Sequence, residues 1–523
     1  MPSKKEFLLS DPKRWLLIAN FGMAVVYFYV IAFLFPHGNE ALFWLLIAGE
    51  VFHTWQALTY VYTVWRLDHR ARYDAGHAPE VDVFITVCGE PADIVRKTAL
   101  AARDMDYPRH KVYLLNDGYV AKKDNWQEIE ALAKELSIGC FTRRVPGGAK
   151  AGNINNALRE TRAPLVVIFD ADHMPHEDFL AKTAGYFADE RLSFVQTPQF
   201  YRNAYANAVA LSSWEQQELF FGPICRGKNR LNSATMCGTN MVIRRDALME
   251  VGGMCEESIA EDFVTGLFLH QKGWRSLYVP EVLAEGLAPE DFLSYTKQQF
   301  RWARGALDVL FRYNLLFRGG LTFAQKIQYL SSVTYFLSGT VVLMNILLPL
   351  LFLYFGIIPI QIDTMFLAAV FIPYIFLTAG VLASTSNRRF SFRALSFSLC
   401  SFWIHVKALW SAMTGQKVGF SVTSKTGVQG NFLGLVIPHI LYIAVVAVGI
   451  PYAAIREGMT ASVINNSAWA LFNVGVLAPF VFAAAPEGFM RKHLSKLYEH
   501  IFSPERAAAI KLKVEPKGSI SLG

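Results

Sequence analysis

Leu165-Val-Val-Ile-Phe169, followed at once by Asp170-Ala-Asp172, is the stretch on which the fold turns. Five apolar residues in a row, three of them β-branched, read as a strand covered on both faces, the kind found inside a parallel sheet. The two Asp then fall at the strand's carboxyl end, where open α/β sheets bind ligands. On an extended chain residues two apart point the same way, so Asp170 and Asp172 are expected to face one hard cation, Mg2+ or Mn2+. The natural task of such a cation is to hold a diphosphate and neutralise its charge as it leaves, which points to a nucleotide-sugar donor.

Working outward, short apolar segments near 81–87, 111–115, 138–142 and 192–196 alternate with helical patterns near 92–103, 124–136 and 151–160. Residues 81–290 therefore read as one Rossmann-like α/β sheet. Asp117 follows a strand and precedes Gly118, a donor-contact position or plain turn chemistry. Lys150 follows Gly147-Gly148, where a turn entering a helix offers backbone N–H groups to phosphate or simply starts a helix. Asp262 suits a general base, because a hydroxyl attacking an anomeric carbon must lose its proton to a group within hydrogen-bond reach. The bland alternative for Glu261-Asp262 is a helix cap after Ser258. His173 is either a third ligand or a structural imidazole.

This ordered series resembles the family 2 glycosyltransferases with a GT-A fold, specifically the processive membrane synthases of the bacterial cellulose synthase type. The stretches that carry the resemblance are Val81-Asp-Val-Phe-Ile-Thr86, Asn116-Asp117-Gly118, Gly148-Ala-Lys150-Ala-Gly152-Asn153, Phe169 to His173, Gln196-Thr-Pro198, Cys237-Gly238, Glu261-Asp262, Gln298-Gln-Phe-Arg301-Trp302 and, like the family's gating loop, Phe420-Ser-Val-Thr423-Ser-Lys425. It departs from the pattern at Asn116, usually Asp, at Ala260, usually Thr, and at Cys88-Gly89. The resemblance implies donor contacts from Thr86, Glu90, Asp117, Lys150, Arg301, Thr423 and Lys425, acceptor contacts from Gln298, Trp302, Cys237 and Gly238, and catalysis by Asp262 with Asp170 and Asp172. Arg301 would pair with phosphate oxygens and Trp302 would stack on the acceptor's terminal sugar. The implied activity is an inverting, processive transfer from a UDP-hexose, with glucose expected, to a β-linked polysaccharide that crosses the membrane, in company with accessory subunits. The other readings are a non-processive enzyme acting on a lipid phosphate, a synthase of another polymer, and a pure transporter.

Composition agrees. Of 523 residues, 53% are hydrophobic, more than a purely soluble domain carries. Apolar runs near 15–35, 42–65, 331–357, 364–386, 432–454 and 462–486 each approach the ~20 residues that cross a bilayer. The first reads as a retained anchor rather than a signal peptide, lacking a small-residue cleavage site. Lys4, Lys5, Lys13 and Arg14, then Arg66, Arg70 and Arg72, then Arg388, Arg389 and Arg393, then Arg491, Lys492 and Lys496 flank alternate span ends, which places those ends, both termini and the catalytic block in the cytoplasm beneath an inner membrane. Residues 394–413 are nearly apolar enough for a seventh span, but basic flanks predict a helix lying in the interface.

The expected organisation is thus two spans in 1–66, a GT-A domain in 67–322, four spans with an interfacial helix and gating-like loop (418–428) in 323–490, and a flexible tail in 491–523, too short for a c-di-GMP-binding PilZ domain. The net charge of +7 fits positive-inside loops on anionic lipid and does not argue for nucleic acid. Six Cys without C-x-x-C spacing indicate neither zinc nor disulfides.

Overall fold

The computed structural model describes residues 11–67, 69, 71–361, 364–386, 391–416, 427 and 430–486. Thr423 and Lys425, with all of 418–428 but Gly427, and the tail 491–523 lie outside the described residues.

The strands are Val81–Val87 (β1), His110–Asn116 (β2), Gly139–Thr142 (β3), Leu165–Asp170 (β4), Met174–Pro175 (β5), Leu192–Gln196 (β6), Phe200–Tyr201 (β7), Met241–Arg244 (β8), Arg275–Tyr278 (β9) and Ala284–Gly286 (β10). Seven form one sheet in the order β3-β2-β1-β4-β8-β6-β9, and β5-β10-β7 form a small second sheet. The first four are mutually parallel, as the alternation with helices predicts. The sheet is nevertheless mixed: β8 runs antiparallel to both β4 and β6, so β4 is parallel on one side only.

Alternation along the strands fills both faces. Val83, Ile85, Val167 and Phe169 pack with Val95 and Ala99 of the helix Ala92–Arg103. Phe84, Val166 and Ile168 pack on the other side with Ile154 and Ala157 of the helix Ala149–Glu160. This two-sided cover explains the unbroken apolar run that opens the reading of the sequence.

Among the described residues, six helices are long and apolar enough to cross a membrane: Arg14–Leu34, Glu40–Val64, Phe323–Phe355, Met365–Thr385, Leu433–Glu457 and Ala461–Ala484. The third begins eight residues before its apolar run, because Thr322 and Gln325 close a reciprocal cap: the Gln325 N–H donates to Thr322 Oγ1 at 3.2 Å and the Thr322 N–H to Gln325 Oε1 at 3.0 Å. The connections after the first and third spans lie side by side, with the Gly38 N–H donating to the Pro359 carbonyl at 3.0 Å and the Gln361 N–H to that of Pro36 at 2.9 Å.

The stretch 394–413 is not a seventh span. It breaks at Ser401 into Phe392–Cys400 and Phe402–Met413, 9 and 12 residues long, well short of the ~20 that a crossing requires. The second piece packs, through Ala408, against Ala303 and Leu307 of the amphipathic helix Phe292–Arg312.

Candidate active site

The parallel strands end on one edge, and the registers place their last residues together. Thr86 stands opposite Asp170 across β1 and β4, and its hydroxyl lies 3.3 Å from both the Phe169 carbonyl and Asp170 Oδ1. Across β2 and β3, Asn116 stands opposite Thr142. Arg143 therefore follows β3 beside Asp117, and its guanidinium grips that carboxylate in two bonds of 2.8 and 2.7 Å. Both side chains are buried. Burial pushes the Asp117 carboxyl above its ordinary range, against the pull of Arg143.

Asn116 is a turn-former. Its Oδ1 accepts the Gly118 N–H at 3.0 Å while its Nδ2 donates to the Trp126 carbonyl at 2.8 Å. An amide supplies both an acceptor and a donor there, as an ionised Asp would not, so of the pair that follows β2 only Asp117 brings a carboxylate. Glu90 accepts the Cys88 N–H at 2.6 Å and closes the loop after β1.

β4 ends at Asp170 and the chain turns at Ala171-Asp172, so the two Asp do not share an extended face as their spacing predicts. Asp170 remains 36% exposed, whereas Asp172 is fully buried and accepts the Leu287 N–H at 3.0 Å. The His173 ring lies 3.5 Å from Asp172 and is packed against Gly286, where any side chain would strike it.

Gly147, Gly148 and Ala149 all have positive φ, 139°, 62° and 43°, a bend that only a glycine pair makes cheaply and that delivers Lys150 into the first turn of a helix. The Lys150 ammonium contacts Asp170 Oδ1 and donates to the Gly238 carbonyl at 2.8 Å. Burial alone would lower its proton affinity, but Asp170, Glu261 and Asp262 outweigh that and raise it. Asp170 in turn is held below its ordinary range, because Lys150 and His173 outweigh desolvation.

Gly238 has φ 79°, and a Cβ on it would stand 2.9 Å from Asp262 Oδ2 and 3.6 Å from Lys150 Nζ. The turn Thr235–Gly238 is pinned from the other side, with the Cys237 N–H donating to Gln196 Oε1 at 2.8 Å and Gln199 Nε2 to the Cys237 carbonyl at 2.9 Å. Glu261 and Asp262 open the helix Glu261–Gln271, and Asp262 Oδ1 accepts the Phe263 N–H at 2.7 Å. Burial is the main force that raises the proton affinity of both carboxyls, with Lys150 and Arg301 pulling the other way. Asp170 and Asp262 thus face the same ammonium with opposite tendencies, the proton affinity of Asp170 lowered and that of Asp262 raised.

Gln298, Arg301 and Trp302 project half-buried from the helix Phe292–Arg312. Arg301 lies in the field of Glu261 and Asp262, and the Tyr201 hydroxyl faces both Gln298 and Arg301. The structure therefore brings together Thr86, Lys150, Asp170, Gly238, Asp262 and Arg301, while Asp117 and Glu90 mark a neighbouring part of the strand edge. Arg143 is the residue that sequence reading missed; its signal was an Arg directly after a short strand that ends at the same edge as Asp117.

Among the described residues no three His, Cys, Asp or Glu side chains cluster so as to hold a metal. The hard oxygens of Asp170 nevertheless fit a divalent cation that takes one or two carboxylates and fills its remaining positions with phosphate and water.

Residues 78–305 match the family model for glycosyltransferase like family 2, and residues 249–437 match the cellulose synthase model. Cellulose synthase 2 of Novacetimonas hansenii is 32% identical over 432 residues, 79% of this chain and 26% of that one. The UDP-forming cellulose synthase catalytic subunit of Pseudomonas fluorescens is 29% identical over 446 residues, 82% of this chain and 60% of that one. This chain spans well under two thirds of the length of either relative. A mannosyltransferase from Pyrobaculum calidifontis, solved with GDP-Man and Mn2+, superposes with a TM-score of 0.51 at 18% identity, covering 72% of this chain and 99% of that one. That likeness establishes the GT-A fold.

Proposed function

We propose that this chain, which belongs to the family 2 glycosyltransferases of the bacterial cellulose synthase type, transfers glucose from UDP-glucose, with inversion and processively, to the non-reducing end of a β-linked glucan. The observation that carries the reading is the meeting of Lys150, Asp170, Gly238 and Asp262 at one point of the strand edge.

On this reading the donor's diphosphate lies by the Gly147–Lys150 bend, within reach of the Lys150 ammonium. Thr86 and Lys150 hold the Asp170 carboxylate ready. A divalent cation bound at Asp170 supplies positive charge to the departing diphosphate. Asp262 takes the proton of the attacking hydroxyl, its raised proton affinity improving the transfer. Gly238 gives the acceptor access, since any side chain there would fill the space in front of Asp262. Arg301 steadies charge beside the carboxylate pair, and Trp302 stacks on the acceptor sugar. Attack opposite the leaving group converts an α-linked donor into a β-linkage. Thr423 and Lys425 close over the donor.

Residues 67–322 act as the catalytic domain in the cytoplasm, the six spans in 1–66 and 323–490 cross an inner membrane, and the product leaves between them. The basic flanks of alternate span ends support this orientation. Radiolabelled UDP-sugars offered one at a time to the purified protein with Mg2+ or Mn2+, followed by sizing and linkage-specific glucanase digestion, test the proposal. A long glucan from UDP-glucose alone supports it; a single sugar on lipid, or no transfer from any UDP-sugar, refutes it.

A further inference from the structure

Lys228 is a charged side chain that the chemistry above does not use. It belongs to the short helix Cys225–Asn229 and is 3% exposed. Its Nζ donates to Thr235 Oγ1 at 2.8 Å and to Ser332 Oγ at 2.9 Å. The ionisable groups that face it are the thiols of Cys225 and Cys237 and the imidazole of His270, and burial lowers its proton affinity. An ammonium held in the interior by two neutral hydroxyls costs stability that a methionine of similar volume would not. A role beyond packing explains its presence.

The two acceptors belong to different parts of the molecule. Ser332 sits on the third span, donates to the Gln328 carbonyl at 2.8 Å, and begins a polar seam between spans two and three. Gln328 Nε2 donates to Thr63 Oγ1 at 2.8 Å, and one turn away Thr59 and Ser331 hydroxyls lie 3.0 Å apart. Gly227, beside Lys228, packs directly on the Thr63 carbonyl. Ser, Thr and Gln side chains that hydrogen-bond across apolar helices fix how those helices pack, so the seam gives Ser332 a set position. Thr235 leads the other way: its carbonyl accepts from Cys237 Sγ at 3.4 Å, and three residues later the Gly238 carbonyl holds Lys150.

We propose that Lys228 is a positioning residue that ties the turn Thr235–Gly238 to the second and third spans, so that the wall of the site facing the acceptor keeps its register with the helices beside it. Lysine suits the task because its compact ammonium has three donors for single oxygens lying in different directions, where a guanidinium would present a planar fork. The acceptor part of this statement rests on the function proposed above; the tie itself does not.

The test uses the full chain in nanodiscs. Ser332→Ala touches neither Cys237 nor the donor site, and it leaves the Lys228 charge beside the Cys237 thiol in place. Alkylation of Cys237 by N-ethylmaleimide, followed on its own peptide by mass spectrometry, should quicken about fivefold, the scale of one lost hydrogen bond. Ser332→Thr, which keeps the hydroxyl, should react at the wild-type rate, and the UDP Kd of all three proteins should agree within about twofold, far below the effect of a lost ligand contact. In the synthesis assay Lys228→Met and Ser332→Ala should make shorter polymer at unchanged UDP affinity. Wild-type alkylation in Ser332→Ala overturns the tie, as does a faster reaction that comes with lost UDP binding, which reports general loosening. The alkylation arm decides the role of Lys228 whatever product the wild type makes, so failure of the functional proposal is read separately.

Discussion

Replacing Lys150 by Met should shift the acid limb of the pH–rate profile upward, beyond any effect on donor affinity. The Lys150 ammonium and Asp262 Oδ2 lie 3.6 and 2.9 Å from the point where a Gly238 Cβ would stand, so they are no more than about 6.5 Å apart, and at an effective dielectric constant of ~20 their attraction is on the order of 2.5 kcal/mol. Water in the open cleft weakens this attraction without abolishing it. The sign follows from the charge. The ammonium favours the ionised form of Asp262, whose carboxyl burial already raises; removing it raises the carboxyl further. A general base works only when ionised, so the variant should lose kcat on the acid side of the profile and recover it as the pH rises. Because Glu261 and Asp262 are adjacent, the first buried and the second half-buried, and each acts on the other, the limb belongs to the pair rather than to either residue. The assay is UDP release at saturating donor between pH 5.5 and 9.5, with the UDP Kd measured at each pH to separate binding from chemistry. Lys150→Arg, which keeps the charge, should keep the limb. An unmoved limb, or the same fractional loss at every pH, would refute the argument.

Three further outcomes follow from the geometry. Asp262→Asn should bind UDP with the wild-type Kd yet turn over at least ~10²-fold more slowly, the scale of a lost general base; near-normal synthesis would assign the proton to another group. Asp170→Ala should abolish cation-dependent UDP binding and leave the melting temperature in place, whereas Asp172→Ala, which strands the buried Leu287 N–H, should cost about 1–3 kcal/mol of stability; equal melting temperatures would contradict the distinction. A single Cys at Glu40 or Gln361, both exposed beside the paired connections, should label with an impermeant maleimide from outside intact cells, and one at Gln416 should not; external labelling at Gln416 would invert the proposed orientation.

Much of this molecule is legible in the chain because its signals are local. A run of five apolar residues makes β4, six greasy stretches fall on six helices long enough to cross a membrane, and basic flanks around 394–413 rightly argue against a seventh, although the one helix expected there is two. What stayed hidden depends on partners distant in sequence. β8 is four residues long, and so short an apolar run as Met241-Val-Ile243 carries no sign that it pairs antiparallel between β4 and β6. Arg143 acquires meaning from the β2–β3 register, which sets it against a carboxylate 26 residues earlier. The expectation for Asp170 and Asp172 failed for a related reason. Period-two logic holds while the strand lasts, and β4 stops at Asp170, so the second carboxylate turns into the interior and serves the backbone of Leu287.

The same distinction divides the site into two halves with different supports. Thr86, Asp117 and Asp170 sit on strand ends whose registers are fixed by hydrogen bonds on either side, so their positions are those of a rigid sheet edge. Gly238, Asp262 and Arg301 come from a turn and two helices beside that edge; the helix Phe402–Met413 packs on Ala303 and Leu307, and Lys228 links the turn to the long apolar helix Phe323–Phe355. A transferase that released its product after each step would have no use for an acceptor side joined to the bilayer helices. One that holds the product and advances it must keep the attacking hydroxyl, the base and the exit in register while the donor side empties and refills. Lys150 spans the two halves with its charge, Asp170 on one side and the Gly238 carbonyl on the other. Its removal is therefore the perturbation that should uncouple the strand-end carboxylates from the base, which is why the pH profile of that variant, rather than its rate at a single pH, is the measurement that discriminates.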